Sequence, residues 1–390
     1  MWRMKVLFTS AAGIGHVQPM IPLAVAARDR GDDVLFATGA DSCGMVEAAG
    51  IVAIAAGLSA ADRMREYRRR FPEGAQLSGM SLPDHMFPRL FGAVAALPMY
   101  AELIDPATAW EPDVMVCDAA EFAGPVIANV LGIPNATHSF GATIPDHRVS
   151  AAASFLDRTW AANGLEPRPF GGCYDHLYID IYPRSMQVGD VTRLGRTTMR
   201  RPESADHVPG HEASPTCTLF LDRAPKDRPI VYITFGTVFN DNDDFRTVAR
   251  VPATFDATFV ATVGPRGDPT LFGVPASNLH VERYIPQHVI LNRCAAVISH
   301  GGSGTMLAAL SHGVPQVCIP QAADQFANAG ACAAAGAGIA LSTDVSVQTV
   351  SDALARVLGD GQYRDAARIV AREIEAMPGA DAVMDELASL

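Results

Sequence analysis

A two-lobed α/β fold built on parallel sheets is what this 390-residue sequence predicts, and three observations predict it. Short β-branched runs alternate with longer Ala-rich runs of helical period, the pattern of βα units feeding a parallel sheet. The alternation stops at the polar segment His207-Val208-Pro209-Gly210-His211-Glu212, which reads as a linker. Each half also contains one place where an apolar run breaks into small residues and then opens a helix-like run: Ser10 to Pro19 in the first, Ser299 to Thr305 in the second.

Taken in order, the first half should place strands at 4–9, 33–37, 51–54, 114–117 and 135–137, with helices at 20–30 and 122–131 among those between. The second series runs 230–234, 258–262, 279–281, 296–299, 316–319 and 339–341. With 49% hydrophobic residues the chain can fill more than one core, so domains are drawn at 1–212 and 213–376. Ligands of open α/β sheets sit at the carboxyl ends of the strands, which makes a cleft between two facing lobes the expected site.

Composition narrows the function class. A net charge of −12 argues against nucleic acid as a partner. Seven scattered cysteines, with no C-x-x-C, suggest neither a disulfide framework nor a zinc ribbon. Met1-Trp2-Arg3-Met4-Lys5 runs straight into a strand pattern and no apolar stretch looks long enough to span a bilayer, so no membrane span is expected and the cytoplasm is.

The most informative motif is Ser299-His300-Gly301-Gly302-Ser303-Gly304-Thr305. A strand that turns through glycines into a helix presents free backbone N–H groups and a positive dipole end, which together bind phosphate. Twenty residues on, Asp324 and Gln325 put a carboxylate and an amide past the next strand, suited to hydroxyl groups. A diphosphate cradle beside a hydroxyl-recognising site is what a nucleotide sugar requires.

In the first half, Gly13-Ile14-Gly15-His16 follows the first strand but satisfies neither the dinucleotide fingerprint nor the P-loop. His16 in that loop is either a capping or packing residue or a general base, the usual role of an imidazole at neutral pH. Asp118, ending the fourth strand, is either its orienting carboxylate or an N-cap for the next helix, with Glu121 contributing in the first turn. The stretch 62–100 holds Met64, Tyr67, Phe71, Met80, Met86, Phe87, Phe91, Met99 and Tyr100, with Pro and Gly interruptions that argue against one continuous core helix. These side chains either pack the domain or line an adaptable apolar acceptor pocket, joined by Gly15, His138 and Phe140.

Together, Gly13-Ile14-Gly15-His16, Tyr284-Ile285-Pro286-Gln287, His300-Gly301-Gly302-Ser303-Gly304-Thr305 and Asp324-Gln325 with Asn328-Ala329 resemble the two-domain GT-B glycosyltransferases, family 1-like, and in particular the bacterial enzymes that decorate antibiotics. The resemblance covers almost the whole chain. It implies two Rossmann-like domains facing across a cleft, His16 as general base and Asp118 as its partner. It further implies donor contacts from Gly236, Thr237, Tyr284 (base stacking), Ile285, Gln287, His300, Gly302, Ser303, Gly304, Thr305, Asp324 and Gln325, and a last helix within 377–390 that crosses back to the first domain. Where related plant-type enzymes resemble H-C-G-W-N-S-x-x-E, with the Glu accepting from ribose hydroxyls, this chain has Ala308, which fits a thymidine diphosphate (TDP) donor. The expected reaction is inverting transfer of a sugar to a lipophilic small-molecule aglycone, without metal or cofactor, by a chain that could pair with a second copy.

Other candidates are weaker. Asp241-x-Asp243 resembles a metal-binding D-x-D but sits in the polar run 240–244, best read as a solvated loop. His207-x-x-x-His211 has ligand spacing without partners, and Arg65, Arg68, Arg69 and Arg70 read as a solvated helical face. No nucleophile elbow follows the His300-Gly-Gly run, as an esterase would need. A nucleotide-sugar epimerase or hydrolase, a nicotinamide oxidoreductase and a catalytically silent nucleotide-sugar-binding protein remain the alternative classes.

Overall fold

The structure, a computed structural model, describes residues 3–77, 79, 81–187, 189, 191–203, 214–236, 243–264, 267–273 and 277–390. Met80, the segment 207–212, Thr237 and Asp241 lie outside the described residues. The chain divides into two compact units: Met1–Tyr182 with Gly189–Ala205 and Met377–Leu390, and Pro183–Val188 with Asp206–Ala376. The boundary thus falls a few residues before the expected 212, and a short piece ahead of it groups with the second unit.

The first unit holds seven parallel strands: β1 (Lys5–Thr9), β2 (Asp33–Thr38), β3 (Val52–Ala55), β4 (Val114–Asp118), β5 (Asn135–His138), β6 (Leu177–Asp180) and β7 (Thr197–Met199). They lie in the order β3-β2-β1-β4-β5-β6-β7. The order reverses between β1 and β4, which pair in parallel from Val6↔Val114 to Thr9↔Cys117. β4 is buried along its whole length, the near-continuous apolar strand expected where helices cover both faces of a sheet. The sequence pattern does not predict β6 and β7: each is short, and β7 is only half-buried, so neither shows a run long enough to stand out.

The second unit repeats the device with β8 (Ile230–Thr234), β9 (Thr258–Thr262), β10 (Leu279–Glu282), β11 (Ala296–Ser299), β12 (Gln316–Cys318) and β13 (Gly338–Ala340). Their order is β10-β9-β8-β11-β12-β13, all pairs parallel, with the reversal between β8 and β11. Its core, including Val231, Ile233, Phe259, Ile298 and Val317, packs beneath Phe245, Leu354 and Val357 of the flanking helices.

Two expectations are corrected between β3 and β4. Residues Ser81–Trp110 form one helical run of 30 residues. The run continues through its prolines: its middle, Pro88–Ala96, is π-helical with Pro88 opening it, and Pro106 lies inside the α-helical Leu97–Trp110. By length and composition this run, with a window of mean hydropathy 1.2, is long and apolar enough to cross a membrane. Half of that window is buried inside the unit, and Leu90, Phe91 and Val94 join Phe122, Val149, Leu156 and Trp160 in one apolar cluster. A protein-facing role accounts for its composition.

The last helix, Ala380–Leu387, belongs to the first unit. Arg30 Nη1 donates to Asp385 Oδ1 at 2.7 Å and to the Asp381 carbonyl, and Arg196 pairs with Glu386. The Arg201 N–H donates to the Pro378 carbonyl at 2.7 Å, fixing the chain as it enters this helix.

Candidate active site

Both strand-order reversals place polar residues at the carboxyl ends of two adjacent strands, where open α/β sheets gather their ligands. In the first unit these ends carry His16, after β1, and Asp118, closing β4. His16 is not in an extended loop: Ile14–Val17 is already a helical turn, followed by Gln18–Met20 and the helix Ile21–Asp29. The turn is set by Gly13, whose φ of 133° and ψ of 145° are open only to glycine. Its carbonyl accepts the His16 N–H at 3.1 Å, so the imidazole leaves the strand end at a fixed angle.

His16 Nδ1 lies 3.0 Å from Asp118 Oδ2, with side-chain exposures of 17% and 1%. The carboxylate stands off the line of the ring nitrogen, a close approach rather than an aligned hydrogen bond. Backbone N–H groups hold the acid in place, Ala11 donating to Oδ2 at 3.3 Å and Ala120 to Oδ1 at 3.2 Å. Asp118 is not the cap of the following helix. Glu121 takes that work: Ala123 N–H donates to Oε1, while Gly124 N–H and the Thr9 hydroxyl donate to Oε2. Burial raises the Glu121 pKa, and these hydrogen bonds oppose the rise.

The imidazole lies between two phenyl rings, Phe91 at 5.2 Å and Phe140 at 4.7 Å between centroids. Phe87 packs on Phe91 at 5.0 Å, and Met86 borders the same apolar cluster. Gly15, beside His16, is exposed, with open space where a side chain would stand. His138 is placed differently from expectation. It is 1% exposed within β5, and its Nε2 accepts from Arg200 Nε at 3.1 Å. Burial, then the Arg200 charge, hold its pKa well below the usual value. Buried at the end of β5 and held by Arg200, His138 presents almost no surface to an acceptor.

Two basic residues escaped sequence reading. Arg63, buried on the helix Ala60–Arg70, donates to the Ala12 carbonyl at 2.9 Å and stands 5.0 Å over the Phe91 ring. Arg200 Nη2 donates to the Pro19 carbonyl at 2.6 Å, tying the His16 turn to β5 and β7. Arg63 hid just ahead of the solvated face of Arg65, Arg68, Arg69 and Arg70; its one-turn helical offset from the core residue Tyr67 was the available signal.

In the second unit, His300 and Gly301 follow β11 and Gly302 is the N-cap of the helix Ser303–Ser311, with no side chain capping it. By helix geometry the first N–H groups of that helix have no intrahelical acceptor. His300 is 8% exposed and boxed by glycine: a Cβ on Gly302 would stand 2.5 Å from its Nε2, and one on Gly236 would stand 2.9 Å from its Cε1. Burial pushes its pKa down to about 4 against the opposing pull of Asp324. The imidazole is therefore neutral at neutral pH.

The remaining expected donor residues divide. Ser303 Oγ donates to Asp324 Oδ2 at 2.8 Å, and Asn328 Nδ2 donates to the same oxygen at 2.9 Å, to Ser303 Oγ and to the Gly301 carbonyl. These contacts use Oδ2 and leave Oδ1 out of them. Gln287 Nε2 donates to Thr305 Oγ1 at 3.1 Å, while Tyr284 is 42% exposed. Gly304 is open, with nothing within 4 Å of the place a Cβ would take, and Ala308 lies one turn on along the same helix face. Gln325 and Ile285 turn inward. Gln325 Oε1 accepts the Gln321 and Ala322 N–H groups, closing its own loop, and Ile285 is 1% exposed in the core. Asp244 departs from the solvated-loop reading: it is buried and accepts from Gln321 Nε2 and the Val345 N–H.

Comparison with known proteins gives the family. Residues 25–203 match the N-terminal domain, and residues 246–390 the C-terminal domain, of the erythromycin biosynthesis protein CIII-like family. L-demethylnoviosyl transferase of Streptomyces niveus is 32% identical, covering 99% of this chain and 98% of that one. Elloramycin glycosyltransferase ElmGT of Streptomyces olivaceus is 31% identical over 96% of this chain and 94% of its own. Among solved structures, the Streptomyces sp. SF2575 glycosyltransferase SsfS6, complexed with thymidine diphosphate, is 27% identical with a TM-score of 0.77, covering 100% of both chains. The chain is thus a glycosyltransferase of GT-B fold and belongs to the erythromycin CIII-like family of bacterial natural-product glycosyltransferases.

Proposed function

We propose that the protein is an inverting, metal-independent glycosyltransferase that moves a deoxysugar from TDP to a hydroxyl group of a hydrophobic natural-product aglycone in the cytoplasm. The observation that carries the reading is the His16–Asp118 pair, a partly exposed imidazole backed at 3.0 Å by a buried, backbone-anchored carboxylate. Asp118 beside Nδ1 favours the tautomer with its proton there, which leaves the Nε2 lone pair to take the acceptor proton. The acceptor oxygen then attacks the anomeric carbon from the face opposite the diphosphate, inverting its configuration. The N-terminus of the helix Ser303–Ser311 would meet the charge developing on the departing diphosphate. Asp324 Oδ1 would accept from a sugar hydroxyl, and Tyr284 would stack on the nucleobase. The Phe91 and Phe140 rings around His16 suit a flat apolar acceptor, and the TDP-bound relative supports the donor.

The test is incubation of purified protein with a TDP-deoxysugar and a panel of polycyclic phenolic and macrolide acceptors, with the product anomer read by NMR. Inverted glycoside formed equally with and without EDTA is expected. Retained configuration, or donor turnover without acceptor, would replace the reading by a retaining transferase or by a nucleotide-sugar hydrolase or epimerase.

A further inference from the structure

Away from the strand ends that carry His300 and Gly236, the second unit gathers three side chains of ligand type. Cys217, His280 and Glu282 each offer one donor atom, all within 4.8 Å of one another. We propose that these residues form a binding site for one zinc-type divalent transition-metal ion, with three protein ligands and a fourth position open to water.

The site is built by two elements. His280 and Glu282 alternate along β10 and so share a face. That face meets the helix Pro215–Arg223, whose Cys217 and Phe220 lie one turn apart on one side. Phe220 stacks on the imidazole at 5.3 Å and 27°, fixing the ring. Ser214, the N-cap of that helix, accepts the Cys217 N–H at 3.1 Å and donates to Glu282 Oε1, so one hydroxyl ties the thiol's backbone to the carboxylate. Cys217 is fully buried and in no disulfide, while the other two side chains are 16% and 17% exposed. An ion can therefore reach the site from the imidazole–carboxylate side.

Donor chemistry selects the metal class. A thiolate, an imidazole and a carboxylate suit zinc or cobalt(II), whereas magnesium and calcium require oxygen donors. Bonds of about 2.0–2.3 Å place tetrahedral donor atoms roughly 3.3–3.6 Å apart. His280 Nε2 and Glu282 Oε1, now 2.6 Å apart, open by less than about an ångström to admit the ion. On binding, the Cys217 S–H bond is lost, the proton goes to solvent and a sulfur–metal bond forms; two anionic ligands then balance the ion's charge. The ion's role is to clamp the helix to β10, two residues before Tyr284.

The experiment is titration of the chelator-stripped full-length protein with cobalt(II). One equivalent should produce a near-ultraviolet thiolate-to-cobalt absorption, zinc should abolish it, and zinc should raise the unfolding temperature by several degrees. Cys217→Ser should lose the band although six cysteines remain, and His280→Ala should weaken binding roughly 10- to 100-fold or more. No band in the wild type would reduce the cluster to a His280–Glu282 ion pair over a core thiol, and an undiminished band in Cys217→Ser would move the metal elsewhere. Circular dichroism reports whether each variant folds. If Cys217→Ser does not, Glu282→Gln carries the same test, since it keeps the thiol and imidazole and should still lose affinity.

Discussion

His16 and His300 both lie beyond the carboxyl end of a strand at the order reversal of their sheets, His16 past β1 and His300 past β11, the counterpart of β4, and their surroundings are opposite. His16 meets solvent on one side and a buried carboxylate on the other. His300 is enclosed by Gly236 and Gly302 and held neutral by burial, with its pKa near 4. The same residue type beside a strand-order reversal is thus partly exposed against a buried carboxylate in one unit and a shaped, uncharged wall in the other. Environment, not residue identity, assigns the chemistry.

The largest effect follows from that assignment. His16→Ala should lower turnover roughly 10²- to 10⁴-fold, the range for loss of a general base. TDP affinity should stay at the wild-type value, because the proposed donor contacts belong to the other unit. Calorimetry for TDP and product formation under saturating substrates separate the two. Near-normal turnover in the variant would dissolve the contrast, and Asp118→Asn would then show whether the carboxylate acts alone.

A second test concerns His300 and pH. Its folded pKa, about 4, lies below the ordinary value near 6.5, so on acidification the unfolded chain takes the proton first. The stabilisation is complete above pH ~6.5 and lost as pH falls towards ~4, at most on the order of 3 kcal/mol. Urea unfolding of His300→Gln across this window should give a shallower loss of stability than wild type. His138, also buried and held neutral, should behave alike, and His138→Gln should remove a further part of the slope. Identical slopes in wild type and His300→Gln would mean that the folded protein carries an imidazolium there.

Gly302→Ala probes the same wall by size. Its Cβ would stand 2.5 Å from His300 Nε2, with Gly236 closing the other side, so ring or helix start must shift. Overpacking of this kind costs about 1–3 kcal/mol. TDP binding should weaken accordingly, while Gly304→Ala, whose Cβ meets open space, should leave the fold's stability within about 0.5 kcal/mol of wild type. Equal stability losses from the two would show that the glycine box does not hold His300.

Much of this was legible in the sequence because parallel sheets announce themselves: eleven strands came from apolar runs between helical ones, and the two Gly-rich breaks each follow a strand that borders a reversal. What was not legible depends on direction and register. Whether Asp118 faced His16 or a helix start turned on the pairing of β1 with β4, and it is Glu121, further along the same loop, that takes the cap. His138, Ile285 and Gln325 carry the right chemistry beside the right motifs but point inward, a fact set by strand alternation and loop closure rather than by composition. Arg63 and Arg200 do their work through carbonyls of the His16 turn, contacts spanning 51 and 181 residues that no local pattern encodes. The prolines of Ser81–Trp110 misled because the helical run continues through them: Pro106 lies inside its α-helical part and a π-helical stretch opens at Pro88.

The smallest expected effect tests how finely the second unit, as the proposed donor site, reads its ligand. On the helix Ser303–Ser311, Gly304 and Ala308 share a face, and neither can accept a hydrogen bond through its side chain. A ribose 2′-hydroxyl brought against that face would lose water without gaining a partner, a cost of about 1 kcal/mol or more. A deoxyribose loses nothing. TDP should therefore bind at least about fivefold more tightly than uridine diphosphate in side-by-side calorimetry. Ala308→Glu supplies the missing acceptor at the same helical position and should narrow or reverse the preference, mainly by improving uridine diphosphate. If the variant shifts both ligands equally, the glutamate acts through charge against the diphosphate rather than through the hydroxyl, and the discrimination must come from the nucleobase at Tyr284.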